Sequence, residues 1–302
     1  MSAKSEQLEG TEDEVCGSCG VAGVDNVKLK KCSCGLVKYC GIHCQKDHKP
    51  QHKKICKKRL AEMHDKDLFT QPDISHWGEC PICCLPLPIN MSKSKVMGCC
   101  CKMICGGCYY ANMKREIDQG LEQRCAFCRE PLSESEEEYD KQVMKRVKKY
   151  NDPVAMTERG KHHHEDGDFR KSLEYWTKAA ESGNFEAHYC LGGTYYRGDG
   201  VEKDVKKAVY HLEQAAIGGH PQARGFLADY EAKNGRFERA NKHHIIAANQ
   251  GHDFSLKAIK LLFVQGVVSK EVYAAALRVH QAALDATKSA EREKAEEAER
   301  NG

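Results

Sequence analysis

Residues 32–56 read CSCGLVKYCGIHCQKDHKPQHKKIC and contain five cysteines and three histidines. The same density extends on both sides, because seventeen of the eighteen cysteines lie between Cys16 and Cys128 and only Cys190 follows. Repeated Cys-x2-Cys pairs bring two thiolates within reach of one tetrahedral zinc ion. The sequence therefore predicts a metal-organised N-terminal half and a self-supporting C-terminal half. A framework of disulfides is the alternative.

The length of 302 residues is enough for two or three domains. The first fourteen residues are polar and lack the apolar core of a signal peptide. The longest apolar run, around Leu261 to Val264, is too short to span a bilayer. We therefore expect no membrane association and a reducing location, cytoplasmic and/or nuclear, in which the thiols remain available for metal.

The formal net charge of +3 counts every cysteine as neutral. Zinc-bound cysteines are thiolates, so loading the sites proposed below lowers the net charge by about 7. The segment from Lys28 to Arg59 contains a single acid, Asp47, and could be a nucleic-acid patch. No recognition helix or aromatic stacking platform accompanies it, which argues against nucleic acid as a partner. Part of this segment could be a nuclear-import signal, but we interpret it as a solvated helix face: Lys53, Lys54, Lys57, Lys58 and Arg59.

The first cysteine module, residues 16–56, offers eight potential metal ligands. His52 and Cys56 are four residues apart and share one face of a helix predicted from Gln45 to Lys58. His43 and His48 are left over, and we interpret them as surface residues. The eight candidate ligands are Cys16, Cys19, Cys32, Cys34, Cys40, Cys44, His52 and Cys56.

This module resembles the MYND zinc finger in the stretches 39–46, YCGIHCQK, and 52–56, HKKIC. The resemblance implies two interleaved zinc ions. One would be held by Cys16, Cys19, Cys40 and Cys44, and the other by Cys32, Cys34, His52 and Cys56. Two positions depart from the family. The knuckle of residues 32–34 is one residue short, which predicts a strained second site, and Lys49 replaces the usual tryptophan, which predicts weaker docking of proline-rich peptides.

The second cysteine module, residues 80–128, has the knuckle order of a RING finger, which it resembles. The resemblance implies one zinc ion bound by Cys80, Cys83, Cys105 and Cys108. A second ion would take Cys125, Cys128 and two of the triplet Cys99, Cys100 and Cys101. Lys102 stands where the family usually has histidine, and a protonated lysine cannot ligate. We assign Cys99 and Cys100, with Cys99 and Cys101 as the alternative, and take Cys84 as a buried or inert thiol.

A RING-type module implies an interaction with a ubiquitin-conjugating enzyme, whose thioester it would hold in a reactive geometry. The matching surface positions are Ile82, Arg129 and Pro131. Each has a simpler interpretation, because Ile82 could pack beneath its knuckle, Arg129 could be a solvated charge and Pro131 could end the domain. Two functions therefore stay open, a RING-type ubiquitin ligase and a non-catalytic adaptor.

The C-terminal half contains a repeat of the form Ala-Ala-x2-Gly, ending at Gly183, Gly219 and Gly251. The spacings of 36 and 32 residues indicate a helical solenoid. The alanines permit close helix packing, and each glycine supplies a left-handed helix stop. The stretch 191–208, LGGTYYRGDGVEKDVKKA, resembles the Sel-one-like repeat, a relative of the tetratricopeptide repeat. This resemblance implies stacked antiparallel helices that bind protein partners.

Other features of the C-terminal half are interpreted as structural. Cys190 should be a core thiol, residues 162–164 a polar helix end, and residues 288–300 an exposed or fraying helix. Six aromatic residues at helical spacing should pack between helices. They are Tyr175, Trp176, Tyr189, Tyr195, Tyr196 and Tyr210.

The sequence thus predicts small zinc-stabilised domains followed by an all-α helical-repeat solenoid. The predicted ranges are a disordered N-terminus (1–14), a MYND-like finger (15–57), a linker (58–76), a RING-like finger (77–132), an acidic spacer and connecting helix (133–150), repeats (151–287) and a charged tail (288–302). The expected cofactor is Zn²⁺, about four ions per chain. No catalytic constellation stands out, so we expect a zinc-binding interaction scaffold whose repeats bind the client protein.

Overall fold

The computed structural model describes residues 15–23 and 28–301. The segment predicted to be disordered, residues 1–14, lies outside this part of the chain. The chain divides into two compact units, and the boundary along the sequence falls between Leu68 and Phe69. The first unit contains the first cysteine module, and the second unit contains the second cysteine module and the repeats.

The first unit has little regular structure besides one helix. Strands β1 (Lys30–Lys31) and β2 (Lys38–Tyr39) form an antiparallel pair, and α1 (Ile42–Leu68) follows. Only two residues of this 27-residue helix are buried, His52 and Leu68. So small an apolar core cannot order the unit by itself, and the ligand clusters described below are needed for its stability.

Helix α1 extends beyond the sequence prediction. Residues 58–68, predicted to begin a linker, are helical, and the non-helical connection starts at Phe69. The five basic residues predicted to form a solvated face are all exposed on this helix.

The second cysteine module begins the second unit. Strands β3 (Ser94–Val96) and β4 (Met103–Cys105) pair antiparallel and lead directly into α2 (Gly106–Asp118). A short 3₁₀ turn, Met91–Lys93, precedes β3. The core of the module mixes cysteines with apolar side chains, namely Cys80, Leu87, Met97, Ile104, Cys105 and Cys125.

Nine further helices follow α2 before the C-terminal one. Their bounds are α3 (Glu136–Tyr150), α4 (Pro153–Glu165), α5 (Phe169–Glu181), α6 (Phe185–Arg197), α7 (Val205–Ile217), α8 (Pro221–Lys233), α9 (Phe237–Asn249), α10 (Asp253–Val264) and α11 (Lys270–Ala286). Successive helices from α4 to α9 pack against each other as an all-α solenoid. The predicted fold class is confirmed.

The repeated small residues act as the sequence predicted. Ala179, Ala215 and Ala247 are fully buried between helices. Gly183, Gly219 and Gly251 end helix–helix turns with φ values of 81°, 86° and 90°, which side chains rarely tolerate. The aromatic positions are more varied than predicted, because Trp176 is buried whereas Tyr210 is exposed.

Two helices join the second cysteine module to the repeats. Val143 of α3 packs with Cys101 and Ala155, so α3 is more than a spacer. The last helix, α12 (Ala290–Asn301), packs against α2. The prediction of an exposed or fraying tail is wrong for one face of this helix, because Arg292 and Ala295 are buried.

Candidate metal centres

The structure brings the ligands of the first cysteine module together in two groups of four. Within each group, the ligand atoms lie within 4.8 Å of one another. The Sγ atoms of Cys40 and Cys44 are 3.5 Å apart, and those of Cys19 and Cys40 are 3.6 Å apart. The groups are Cys16, Cys19, Cys40 and Cys44, and Cys32, Cys34, His52 and Cys56. This is the interleaved arrangement that the family resemblance implied.

The short knuckle does not prevent the second group from forming. Gly35 N–H donates to Cys32 carbonyl oxygen across the knuckle at 2.8 Å, which closes a tight turn. Cys34 Sγ lies 3.1 Å from His52 Nε2, and Cys32 Sγ lies 3.6 Å from Cys56 Sγ. His52 and Cys56 come from one face of α1, as predicted.

The second cysteine module also gathers two groups of four thiols. The first and third cysteine pairs meet, and so do the second and fourth, which is the cross-braced order expected of this module. Cys83 and Cys105 Sγ atoms are 3.8 Å apart, and those of Cys100 and Cys125 are 3.9 Å apart. The groups are Cys80, Cys83, Cys105 and Cys108, and Cys99, Cys100, Cys125 and Cys128.

One backbone feature follows five of the six cysteine knuckles, the exception being Cys105–Cys108, which lies at the start of α2. The residue after each of these five has a left-handed φ between 53° and 76°, and its N–H closes the knuckle turn. Glycine fills this position twice, as Gly20 and Gly35, at no steric cost. Three side-chain-bearing residues adopt the same conformation: Cys84, Cys101 and Arg129.

Backbone amides face the sulfur atoms and favour the thiolate form. The N–H groups of Phe127 and Cys128 donate to Cys125 Sγ at 3.4 and 3.5 Å. In the neighbouring group, hydrogen bonds from the Cys105 thiol and then the Cys105 N–H lower the pKa of Cys80 to about 4, against the opposing effect of burial. Thiolates are the form that binds metal.

The sulfur spacings fit tetrahedral zinc. Four sulfur ligands at a Zn–S distance near 2.3 Å would be about 3.8 Å apart. The Sγ–Sγ distances quoted above match this spacing and are far longer than the roughly 2.05 Å of a disulfide bond. Every cysteine in the described part of the chain is free, so the disulfide alternative is wrong.

The cysteines outside the four groups have other environments. Cys101 is buried, and its Sγ faces the Gly98 carbonyl oxygen at 3.9 Å, which makes it a core thiol. Lys102 is exposed. Cys84 is exposed and lies outside the four groups, so the expected burial is wrong, whereas the expectation that Cys84 is not a ligand agrees with the structure. Burial raises the pKa of the Cys190 thiol, as expected for a core cysteine.

The two spare histidines of the first module differ. His43 is exposed, as predicted. His48 Nδ1 lies 3.0 Å from the Tyr39 hydroxyl, and its ring stacks on His52 at 5.6 Å between centroids. His48 therefore supports a candidate ligand instead of acting as a free surface residue.

The three predicted contact positions for a conjugating enzyme are all exposed, but one is engaged internally. Ile82 is 41% exposed, and Pro131 lies on the surface. Arg129 donates from Nη2 to Glu116 Oε1 at 2.7 Å and from Nη1 to Asn112 Oδ1 at 2.9 Å. Arg129 is therefore half of a structural ion pair.

Glu116, the partner of Arg129, is completely buried. Its other carboxylate oxygen accepts from the Arg124 N–H at 2.9 Å and from Asn112 Nδ2 at 3.0 Å. Burial raises the pKa of Glu116, but the Arg124 N–H and the Arg129 guanidinium outweigh burial and hold that pKa below its usual value. Sequence reasoning missed this residue, since a glutamate within a polar helix carries no signal of burial.

A second missed residue, Arg292 of α12, reaches the first thiol group of the second module. Its Nη2 lies 3.4 Å from Cys83 Sγ, and its Nη1 donates to the Pro86 carbonyl oxygen at 2.7 Å. The contact needs a glycine on α2, because a Cβ at Gly107 would lie 2.6 Å from Arg292 N. The Gly106-Gly107 pair was the one sequence signal of this close approach.

Family models match two parts of the chain. Residues 16–56 match the MYND finger, and residues 153–184 and 185–220 match the Sel1 repeat. These matches confirm two of the three predicted modules. The protein therefore has an N-terminal cysteine-rich, zinc-binding region followed by Sel1-type helical repeats, an organisation that serves protein–protein interaction.

Two solved structures are similar to this chain. A Sel1 repeat protein from Oxalobacter formigenes is 22% identical, with a TM-score of 0.44 over 58% of this chain and 72% of its own length. The protein c5321, a protective antigen present in uropathogenic Escherichia coli strains and described as displaying an SLR fold, is 17% identical with a TM-score of 0.40. That match covers 63% of this chain and 40% of c5321. In the described part of the chain, no helix has both the length and the apolar character needed to cross a membrane.

Proposed function

We propose that this protein is an interaction scaffold built around four structural zinc ions, with its client bound by the helical repeats. The observation that carries the proposal is the presence of four separate ligand groups, each with four atoms within 4.8 Å of one another. Four protein ligands leave no open position for a reacting molecule, which is the pattern of structural zinc. The zinc ions therefore shape surfaces.

Zinc has to supply much of the folding energy of both cysteine modules. The first unit buries few apolar side chains, and the core of the second module is half cysteine. Structural zinc contributes on the order of 10 kcal/mol per site, which exceeds what such small cores provide. The repeats, with their closely packed alanines, need no metal.

Chelation followed by hydrogen exchange tests this division. We expect a zinc chelator to abolish amide protection in residues 28–56 and 80–128 of the full chain, while helices α5 to α9 keep theirs. Protection that survives in both cysteine modules of metal-free protein would contradict the proposal.

A second candidate function is recruitment of a ubiquitin-conjugating enzyme by the second cysteine module. The observation that favours it is the exposure of Ile82 and Pro131 on a cross-braced thiol arrangement. An apolar side chain that only packed beneath its knuckle would be buried. The alternative, a non-catalytic adaptor, uses the same fold without this contact.

Ubiquitin-chain formation distinguishes the two. With activating enzyme and a panel of conjugating enzymes, the ligase hypothesis expects chains that are lost on Ile82→Ala and kept on Val264→Ala, an exposed control in α10. Arg129→Ala is unsuitable as a test of this contact, because it also removes the guanidinium that pairs with the buried Glu116 carboxylate. If no member of the panel forms chains, the adaptor function is favoured.

A further inference from the structure

The connection between α1 and the second cysteine module, residues 69–76, lies along the repeat helices as an extended segment without helix or strand. Every residue of the segment keeps some exposed surface when backbone and side chain are taken together, and Asp73 and Ile74 in its middle are exposed. A segment held this way is anchored by contacts at its ends and along its backbone, and its local stability is low.

The first anchor is Phe69. Its ring lies 4.8 Å from the ring of His243, which is completely buried in α9. The guanidinium carbon of Arg239 lies 4.8 Å from the Phe69 ring centroid, and Lys242 Nζ lies 5.7 Å from it. An aromatic ring close to two cations gains cation–π attraction, which favours an aromatic residue at this position.

The second anchor is His76, whose side chain is only 2% exposed. Its ring stacks on His220 with 4.0 Å between centroids, and its Nε2 lies 3.4 Å from Glu186 Oε2. Glu186 Oε1 also forms an ion pair with Lys161 Nζ at 3.0 Å. The pocket therefore presents a flat aromatic wall and a carboxylate, itself paired with a lysine, to one imidazole.

The three groups His76, Glu186 and His220 could also be regarded as a metal site, since their ligand atoms lie within 4.8 Å. The geometry argues against it. The two imidazole planes differ by only 14°, so their in-plane lone pairs run side by side and do not converge on one ion. His220 Nδ1 accepts the Ala223 N–H at 3.3 Å, which places the His220 proton on Nε2, facing Glu186.

Backbone contacts connect the two anchors. Arg224 Nη2 donates to the Thr70 carbonyl oxygen at 3.4 Å, and His76 N–H donates to the Gly219 carbonyl oxygen at 3.1 Å. A Cβ at Gly219 would lie 2.9 Å from the Ile74 carbonyl oxygen, so this close approach needs glycine. Main-chain hydrogen bonds with pockets for end side chains are a recurring mode of peptide recognition.

From these contacts we propose that the docking face, formed by Glu186, Gly219, Arg224 and His243, is the peptide-binding surface of the repeats. Its partner is an extended protein segment with an aromatic residue followed seven positions later by a histidine. Residues 69–76 occupy the face in cis and compete with that partner. The inference rests on the proposed scaffold function and specifies which surface binds the client.

The test uses the full chain and a dye-labelled synthetic peptide of residues 67–78 added in trans. In wild-type protein the tethered segment competes at an effective concentration in the millimolar range, so the peptide should bind weakly. Phe69→Ala combined with His76→Ala weakens the competitor, and we expect at least about tenfold tighter peptide binding by fluorescence anisotropy.

Matched variants on the repeats identify the surface. In the double-variant background, Glu186→Gln should weaken peptide binding, and Glu174→Gln, at an exposed ion pair with Lys178 on α5, should not. Absence of binding to the double variant, with unchanged thermal melting of the helices, would overturn the proposal, as would equal binding by the Glu186→Gln protein.

Two controls keep the outcome interpretable. If the double variant melts early, residues 70–75 are replaced by a Gly/Ser stretch of equal length, and the same binding result is required. Zinc content is measured on every sample. Loss of peptide binding with four zinc ions retained contradicts this inference alone, whereas peptide binding with fewer zinc ions contradicts only the zinc scaffold.

Discussion

Arg292 shows how a single side chain far along the sequence can support a metal site. Its guanidinium donates from Nη2 to Cys83 Sγ and from Nη1 to the Thr287 carbonyl oxygen at 2.7 Å. Because the residue is only 5% exposed, water has little access to these donors. A zinc ion with four thiolates carries a net charge of about −2. A neighbouring cation therefore stabilises the loaded site.

We predict that Arg292→Ala accelerates zinc loss from the Cys80, Cys83, Cys105 and Cys108 group by about 10-fold, the usual scale for residues that support metal ligands. Release to a colorimetric chelator measures the rate. Arg300→Ala is the matched control, because Arg300 is exposed on the same helix. Equal rates for the two variants would contradict the assigned role.

Arg129 and Glu116 form the second residue-scale test. Removing the guanidinium leaves a completely buried carboxylate with fewer partners, which costs more than the pair itself contributes. Because Arg129 is about half exposed, water replaces part of the lost interaction. We predict that Arg129→Ala destabilises the second cysteine module by about 1–2 kcal/mol with zinc saturating, measured by chemical denaturation. Arg124→Ala is the control, because the Arg124 guanidinium does not contact the Glu116 carboxylate. Equal stability of the Arg129→Ala and Arg124→Ala proteins, together with wild-type stability of the Glu116→Gln protein, would show that the pair contributes nothing.

At the scale of elements, the contact between α2 and α12 depends on the absence of a side chain. A Cβ at Gly107 would lie within 2.8 Å of three atoms of Glu291 and Arg292. Two of these atoms belong to the backbone and cannot turn aside. The two helices must therefore separate if residue 107 gains a side chain.

We predict that Gly107→Ala destabilises the second unit by about 1–3 kcal/mol and increases hydrogen exchange in α12. Gly41→Ala is the control, since nothing lies within 4 Å of a Cβ there. Unchanged exchange in α12 of the Gly107→Ala protein would contradict the close packing.

Elements with local signals could be predicted from the sequence, and elements held by distant partners could not. The Ala-Ala-x2-Gly repeats and the knuckles carry their own spacing, so the solenoid was predicted correctly, and the structure brings the predicted ligand residues together in groups of four. The tail of residues 288–302 looked solvated because its charges alternate, yet Arg292 is buried against residues about two hundred positions away. The role of Cys101 also depended on Val143 of α3, which the cysteine triplet alone could not indicate.

At the scale of the whole molecule, zinc-dependent and zinc-independent folding share one chain. The cysteine modules need metal because they bury little apolar surface, whereas the repeats bury alanines in every helix pair. The docking face proposed for the repeats is occupied by residues 69–76, which lead into the second cysteine module. Loss of metal from the second cysteine module would therefore unfold that module and also release one end of residues 69–76, the segment that competes with the client.

The central claim is that four zinc ions organise the cysteine-rich half. Native mass spectrometry of the zinc-loaded full chain tests it most directly. We predict four zinc ions in the wild-type protein and three after Cys80→Ser, with four retained after Cys84→Ser, whose thiol is exposed and outside the ligand groups. Three or fewer zinc ions in the fully loaded wild-type protein, or the same count in the two variants, would contradict the claim.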